Sequence, residues 1–182
     1  MNYVEPIRDP AAVEDIALYL KKNSERNYIM FRLGIYSGLR ISDILRLKVK
    51  DVSNKSYINI REKKTGKQKL FPINPTLKNE LKNYCSLKEG NDYLINSREG
   101  MNKSITRKQA YNIIRKAGEA FGMYNLGTHT MRKTFGYHFY IKYKDVVMLQ
   151  KIFNHSDPSI TLKYIGIEQG EMDKKMRNLR IY

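Results

Sequence analysis

The chain has 182 residues, 41% of them apolar, which is enough for one domain with a hydrophobic core. Its formal charge of +16 favours nucleic acid as a partner over a solvated basic surface or a ribosome- or membrane-surface role. A single cysteine, Cys85, excludes an internal disulfide and a cysteine-based zinc site, and the lack of a signal sequence or of roughly 20 consecutive apolar residues predicts a cytoplasmic protein without a membrane span.

The first third of the chain is predicted to be helical. Asp9 and Pro10 have the character of an N-cap and a first helical residue. The stretch NYIMFRLGIYSG is apolar almost all round, so it predicts a second, deeply buried helix that ends at Gly38. Arg40 then begins a short third helix.

A β-hairpin is predicted after these helices. The runs from Tyr57 to Ile60 and from Leu70 to Ile73 are rich in strand-forming residues and flank the sequence KTGK. Gly66 can supply the positive φ of the turn between them. Because Pro72 cannot donate to a strand ladder, the second strand is expected at a sheet edge.

Helical spacing returns in the rest of the chain. It predicts helices from Thr76 through Leu81 and Leu87, from Thr106 to Ala120, after His129, from Val146 to Phe153, from Asp157-Pro158, and in the tail over residues 168–182. Met172, Met176 and Leu179 form one apolar stripe in that tail, which indicates helix docking. The predicted fold class is mostly α with one small antiparallel β-sheet (α+β), in a single domain over residues 1–182.

Known catalytic motifs narrow the chemistry. No GxxxxGK[ST], GxGxxG or HExxH pattern occurs and the carboxylates are not clustered, so nucleotide-triphosphate chemistry has no support and a two-metal nuclease has little. Basic residues and a tyrosine remain as candidates: Arg40, Lys64, His129, Arg132, His155 and Tyr164. Each has an ordinary alternative when taken alone. Arg40 could pair with Asp43 on a helix surface, and Tyr164 could be a core aromatic.

Taken together and in order, these residues resemble the catalytic domain of the tyrosine recombinase, or phage integrase, family. The resemblance covers about residues 10–170. The matching positions are Gly38-Leu39-Arg40, Lys64 in the hairpin turn, His129-Thr130-Met131-Arg132, His155, and Tyr164 nine positions after it. The departures are Asp43 in place of the more frequent Glu, Asn154 in place of the usual Gly, and the absence of Tyr-x-His after Tyr164.

The resemblance implies the tyrosine recombinase catalytic-domain fold and a reaction that needs no metal, cofactor or ATP. Tyr164 would attack a DNA phosphodiester and form a covalent 3′-phosphotyrosyl bond. Arg40 and Arg132 would bind the phosphate, because guanidinium groups bind phosphate bidentately and stay charged.

The remaining residues take supporting roles in that expectation. Lys64 would be the general acid for the 5′-hydroxyl leaving group, with Lys63 and Lys67 as rivals and as DNA contacts. His129 would exchange a proton with Tyr164, and His155 would donate to the phosphate. Two hypotheses about Asp43 stay open: it orients Arg40, or it is a helix-surface carboxylate.

The resemblance also implies partners. Double-stranded DNA is the expected substrate, and a homotetramer is the expected synaptic assembly, with a monomer possible in isolation and a DNA-bending accessory protein possible as well. The tail over residues 168–182 would pack either on a neighbouring subunit or on its own domain. The N-terminal clamp domain usual in the family is expected to be absent, and the source is expected to be a bacterium or a phage.

Two other functions stay open at this point. One is a non-catalytic DNA-binding regulator of the same fold, which would have no need of the full set from Arg40 to Tyr164. The other is a type IB topoisomerase, which shares the chemistry but is generally built with a much larger clamp. Phage integration, transposon movement and chromosome-dimer resolution are not distinguished.

Overall fold

A computed structural model of the chain describes residues 4–167 and 176–179. It confirms a mostly helical fold with one two-stranded antiparallel sheet. The elements in chain order are α1 (Pro10–Asn23), α2 (Glu25–Ser37), α3 (Ile41–Ile44), a 3₁₀ turn (Val49–Asp51), β1 (Tyr57–Arg61), β2 (Gln68–Pro72), α4 (Pro75–Cys85), α5 (Arg107–Glu119), α6 (Thr128–Tyr143), α7 (Val146–Phe153) and α8 (Pro158–Tyr164).

Both Asp-Pro pairs begin helices as predicted. The Asp9 side chain accepts a hydrogen bond from the backbone N–H of Ala11 at 2.9 Å, at the start of α1. Asp157 accepts from the backbone N–H of Ser159 at 2.7 Å, at the start of α8. Each cap satisfies a backbone donor that has no partner within its own helix. The second cap fixes where α8 starts, and therefore where its last residue, Tyr164, lies.

Helix α2 is the centre of the hydrophobic core, as its apolar sequence predicts. It packs against α1, α4 and α6. A Cβ added at Gly34 would lie 2.6 Å from the Cβ of Met131, so this glycine lets α2 and α6 approach closely. Gly38 ends α2 at a φ of +64°, a backbone conformation that favours glycine. The chain then turns directly into Arg40 and α3.

The predicted hairpin and its glycine turn are confirmed, and the structure gives the register of the strands. Strand β1 pairs with β2 so that Tyr57 lies opposite Pro72 and Arg61 opposite Gln68. Gly66 in the turn has a φ of +67°. The turn that joins the strands lies next to α3. The backbone N–H of Lys63 in the turn donates to the side chain of Asp43 in α3.

Helices α7 and α8 join α6 through a second, smaller hydrophobic cluster. Its buried members are Leu149, Phe153 and Ile165. Gly136 on α6 makes this contact possible, because an added Cβ would lie 2.7 Å from Ile165 and 2.8 Å from Phe153. This packing holds the end of α7, at Phe153, and the end of α8, next to Ile165, against α6.

Two predictions about helix extent have different outcomes. The helix predicted from Thr76 through Leu87 was too long, since α4 ends at Cys85 and the Leu87 side chain is 97% exposed. Most of the predicted tail helix, Met172 included, lies outside the described residues. Met176 and Leu179, which are described, are 73% and 70% exposed. Within residues 4–167 and 176–179, none of the helices is both long and apolar enough to cross a bilayer.

Candidate active site

Two arginines from different elements meet at the end of α7. Arg132, on α6, donates from Nη2 to the carbonyl oxygen of Phe153 at 3.0 Å, and Arg40, at the N-cap of α3, donates from its own Nη2 to the same oxygen at 3.3 Å. Arg132 also donates to the carbonyl of Gly38. The last carbonyls of a helix carry the negative end of its dipole, so α7 offsets part of the repulsion between the two cations.

Arg132 is the more enclosed of the two arginines. Only 3% of the residue is exposed, and its guanidinium carbon lies 4.2 Å from the centre of the Phe153 ring. Burial, with a further contribution from the nearby Arg40, lowers the pKa of Arg132 to about 10. The group therefore stays a cation at neutral pH, and its position is set by packing before any ligand binds.

The carboxylate that pairs with Arg40 is Glu62, on the hairpin turn. Glu62 Oε1 lies 2.8 Å from Arg40 Nη1. The side chains of Asp43 and Arg40 share no hydrogen bond or ion pair, so the prediction that Asp43 orients Arg40 has no direct contact behind it. Arg40 is the N-cap of α3, and its guanidinium group bonds to Glu62 and to the carbonyl of Phe153 instead.

Asp43 has a different contact. It is 2% exposed, so the alternative of a helix-surface carboxylate is wrong. Its Oδ1 accepts a hydrogen bond from the backbone N–H of Lys63 at 2.9 Å, and its Oδ2 has no hydrogen-bond partner. Asp43 therefore connects α3 to the start of the hairpin turn.

Tyr164 and His129 are brought together across 35 residues of sequence. The Tyr164 hydroxyl lies 3.3 Å from His129 Nδ1. Tyr164 is the last residue of α8, and His129 is in the first turn of α6. Burial raises the pKa of Tyr164, and the charges of Arg132 and Arg40 act in the opposite direction. The phenol is consequently protonated at neutral pH when no DNA is bound.

His129 has the opposite shift. Burial lowers its pKa, and so do the positive charges around it, beginning with Arg132. A neutral imidazole results at pH 7, and one of its nitrogens can accept a proton. The pair of Tyr164 and His129 therefore holds a proton donor beside a proton acceptor.

His155 follows α7 and packs on Tyr164, with 5.3 Å between the ring centres. Burial, followed by the charges of Arg132 and Arg40, lowers the pKa of His155 to about 4. Its Nδ1 lies 2.9 Å from Thr161 Oγ1. If the threonine hydroxyl donates this bond, the other ring nitrogen of the neutral imidazole carries the proton and can donate.

Asn154, which stands where the family usually has Gly, occupies a backbone conformation that favours glycine. It ends α7 at a φ of +54°, a conformation in which Gly is favoured and Asn is tolerated. Its side-chain amide donates to Glu62 Oε2 at 2.6 Å. The asparagine thus keeps the backbone geometry and adds a contact that glycine cannot make.

A basic cleft of about 340 Å³ opens in front of the arginines. Lys64, which is exposed, and His129 both line this cleft. Lys67 is exposed on the same turn but does not line the cleft. The residues that do are Arg40, Ile41, Ser42, Lys63, Lys64, Arg107, Thr128, His129 and Arg132. Five of these nine carry a permanent positive charge, which suits a phosphate group.

Four residues of this region were not identified from the sequence. Glu62, Lys69 and Thr161 gave no signal, because a carboxylate, a lysine and a threonine in amphipathic segments are ordinary. Arg107 could have been found, since it directly follows the Thr106 N-cap, where a positive charge is unfavourable for the helix dipole and therefore suggests an anionic partner. Lys69 donates to the carbonyls of Lys151 at 3.0 Å and Ile152 at 2.6 Å, and so fixes β2 to the end of α7.

Among the described residues, no group of three or more His, Cys, Asp and Glu side chains lies close enough to hold a metal ion.

Comparisons with known proteins identify the family of the chain. The Phage integrase family model matches residues 9–170. The chain is 47% identical over 169 residues to the probable integrase/recombinase YoeC of Bacillus subtilis, and the alignment covers 93% of both chains. It is 29% identical over 145 residues to the tyrosine recombinase XerA of Pyrococcus horikoshii, covering 78% of this chain but 50% of that protein.

Solved structures share the fold. The crystal structure of XerA recombinase matches with a TM-score of 0.77 at 21% identity, over 98% of this chain and 67% of that one. XerH bound to its palindromic difH substrate, in a post-cleavage complex, matches with a TM-score of 0.73 at 17% identity, over 96% and 53% of the two chains. The chain belongs to the phage integrase family and has the fold of a tyrosine recombinase catalytic domain, a class of DNA breaking and rejoining enzymes.

Proposed function

We propose that this chain cuts and rejoins double-stranded DNA at a specific site, using Tyr164 as the nucleophile. The observation that carries the proposal is the contact of the Tyr164 hydroxyl with His129, beside the paired guanidinium groups of Arg40 and Arg132. A protein that only binds DNA has no need of a hydroxyl, a proton acceptor and a phosphate clamp in one place.

In the cleavage step, the Tyr164 oxygen forms a bond to the phosphorus of a DNA phosphodiester. The phenol proton passes to His129 Nδ1, which is neutral at pH 7. The bond from phosphorus to the 5′-oxygen breaks, and that oxygen receives a proton from the ammonium group of Lys64. The products are a 3′-phosphotyrosyl bond and a free 5′-hydroxyl, with no change in oxidation state.

The charge that develops on the nonbridging oxygens needs stabilisation during this step. Arg40 and Arg132 supply it from fixed positions, and His155 adds one hydrogen bond. The rejoining step is the reverse reaction with another 5′-hydroxyl, which attacks the phosphotyrosyl bond. Since one phosphodiester is exchanged for another ester of similar energy, no nucleotide triphosphate is consumed.

The DNA backbone continues along the positive surface around the cleft. Lys63, Lys67 and Arg107 contact phosphates on either side of the scissile one in this proposal. Lys63 and Arg107 also line a second cleft of about 450 Å³ together with Arg46 and Lys103, so the positive surface extends well beyond one phosphate. Such contacts provide affinity without sequence information.

The proposed active assembly is a homotetramer that holds two DNA sites. An apolar groove of about 740 Å³ lies between β2, α6 and α7, and its lining includes Leu70, Phe71, Phe139, Tyr143 and Met148. The apolar side chains of Met176 and Leu179 in the tail are exposed on their own chain. In the proposed tetramer, the tail over residues 168–182 occupies this groove on the neighbouring subunit.

Covalent trapping tests the reaction. The protein is mixed with nicked duplex fragments of the DNA of its source organism, so that cleavage near a nick releases a short strand and prevents rejoining. Denaturant-resistant adducts are expected with the unmodified protein and with Tyr182→Phe, but not with Tyr164→Phe. Adducts that persist in Tyr164→Phe would show that another residue is the nucleophile.

Two further outcomes separate the alternatives. DNA binding without any adduct would favour a non-catalytic regulator. Relaxation of supercoiled plasmids regardless of their sequence would favour a type IB topoisomerase. The tail proposal is tested by ending the chain at Ile167, which should leave a folded monomer that no longer forms tetramers on DNA. A full-length monomer with a protease-resistant tail would contradict the exchange.

A further inference from the structure

The hairpin turn and helix α3 hold each other through a reciprocal pair of carboxylates. Asp43, on α3, accepts a hydrogen bond from the backbone of Lys63 in the turn at 2.9 Å. Glu62, at the start of the turn, pairs with Arg40 at the N-cap of α3 at 2.8 Å. Each element therefore supplies a carboxylate that binds a donor of the other element. Lys64 directly follows Glu62 and Lys63, the two turn residues that make these contacts.

Glu62 uses both of its carboxylate oxygens. Oε1 accepts from Arg40, while Oε2 accepts from the hydroxyl of Thr65 at 2.7 Å and from the amide of Asn154 at 2.6 Å. These partners come from α3, from the turn itself and from the residue that ends α7. One side chain consequently joins the three elements that carry Arg40, Lys64 and the carbonyl shared by the two arginines.

The surroundings of Glu62 require that it be charged. It is 1% exposed, and burial alone would raise the pKa of its carboxyl. The hydrogen bond from Thr65 and the charges of Arg40 and Lys69 outweigh that effect and lower the pKa. A buried carboxylate with three satisfied contacts is expensive to leave unpaired, so its partners are kept in one arrangement.

We propose that Glu62 is a positioning residue for DNA cleavage, which holds the Arg40 guanidinium in the cleft and fixes the turn so that Lys64 reaches the 5′-oxygen. This proposal rests on the cleavage reaction proposed for Tyr164. Glu62 acts through Arg40 and Thr65 and does not contact the DNA. The Arg40 side chain still has its Nε–H, and one N–H of Nη2 beside the one donated to Phe153, for contact with a phosphate.

The alternative is that Glu62 only stabilises the fold. A change of the leaving group in the DNA substrate distinguishes that role from the positioning of Arg40 and Lys64. When the 5′-bridging oxygen of the scissile phosphate is replaced by sulfur, the thiolate leaves without a proton. A variant that lacks only the general acid should then recover cleavage, whereas a variant that lacks only an arginine contact should not. A residue that positions both groups should recover in part.

The experiment uses the duplex recovered by covalent trapping, made with oxygen or with sulfur at the scissile 5′ position. Cleavage rates are measured for Glu62→Gln, with Lys64→Ala and Arg40→Ala as the reference variants. Glu89→Gln, which removes an exposed carboxylate from the loop after α4, is the control for loss of one negative charge.

The expected result is a loss of about 100-fold for Glu62→Gln with the oxygen duplex, since small misplacements of catalytic groups cost this much. With the sulfur duplex about 10-fold should be recovered, less than for Lys64→Ala and more than for Arg40→Ala. A rate for Glu62→Gln within threefold of the control would overturn the proposal. Equal losses on both duplexes would overturn the connection to Lys64.

A second measurement does not depend on cleavage. The guanidinium signals of Arg40 in ¹⁵N NMR spectra of the DNA-free protein are assigned with Arg40→Lys. They should be sharp in the unmodified protein and in Glu89→Gln, and broadened by exchange with water in Glu62→Gln. Unchanged signals in Glu62→Gln would overturn the positioning of Arg40. If no adduct forms with any DNA, the proposed reaction fails and this result still decides the role of Glu62.

Discussion

Arg40 and Arg132 donate hydrogen bonds to one carbonyl oxygen, that of Phe153, at 3.3 Å and 3.0 Å. Two cations this close repel each other, and the protein offsets the repulsion with the end of α7 and with Glu62. The guanidinium groups are thus held at the positions in which a phosphate would meet both. Preorganisation of this kind means that little reorganisation is needed when the transition state forms.

The fork geometry of Arg132 should be essential. Arg132→Lys keeps the charge but replaces the planar fork, whose Nη1 and Nη2 bond to Gly38 and Phe153 separately, with a single nitrogen on a shorter polar group, so adduct formation should fall by about 10²–10³-fold. The carbonyl left without a donor should lower the free energy of unfolding by about 1–3 kcal/mol, measured by urea titration. Arg115→Lys, at an exposed arginine on α5, is the control for stability. A near-normal cleavage rate in Arg132→Lys would contradict the clamp.

The residue that ends α7 offers a matched pair of substitutions. Asn154→Gly and Asn154→Ala both remove the bond to Glu62, but only alanine is strained at a φ of +54°. Alanine should therefore be the less stable variant by about 1 kcal/mol. Urea unfolding of the two variants measures this difference. Equal stabilities would mean that the left-handed conformation is not retained after substitution.

The pKa of His155 predicts how stability changes with pH. Its folded-state pKa of about 4 lies below the ordinary value of 6.5, so between these values the unfolded chain binds the proton more strongly. The melting temperature should therefore decrease as the pH falls from 6.5 to 4. His155→Gln should show a shallower decrease in that window and no change of slope above pH 7. Parallel curves for both proteins would contradict the lowered pKa.

Close packing at Gly136 should control the position of α8. In Gly136→Ala the new methyl group would meet Ile165 and Phe153 at 2.7 and 2.8 Å, so the free energy of unfolding should fall by about 1–3 kcal/mol. Because α8 carries Tyr164, cleavage should fall as well. Gly90→Ala, whose methyl group would lie 3.6 Å from its nearest neighbour, should change neither property. Thermal unfolding and adduct assays test both variants.

Binding to DNA should depend strongly on salt. The positively charged residues in and around the cleft should bind DNA mainly through phosphate contacts, and each contact contributes about 0.9 to the slope of log K against log salt. Arg107→Gln should reduce this slope by about that amount. Lys22→Gln should leave it unchanged. Lys22 is on α1, and Tyr19 of the same helix packs on Phe121, which follows the C-terminal end of α5. Arg107 is at the opposite end of α5.

Local sequence patterns were sufficient for most of the secondary structure. The Asp-Pro caps, the glycine at the end of α2, the KTGK turn and the bounds of α7 follow from contacts within a few residues. The helix predicted to reach Leu87 was too long, because that prediction also used only local spacing. Spacing alone does not show whether an apolar side chain packs against another element, and Leu87 is exposed to solvent.

The sequence by itself also determined the order of the basic residues and the tyrosine, and hence the family. Only the tertiary structure decided how they are connected. Arg40 pairs with Glu62 and not with Asp43, and the carbonyl of Phe153 lies more than 100 residues from Arg40 along the chain. Such contacts depend on how helices pack, because packing brings together side chains and backbone groups that no periodicity relates. The chemistry was readable from residue types, whereas its geometry came from the fold.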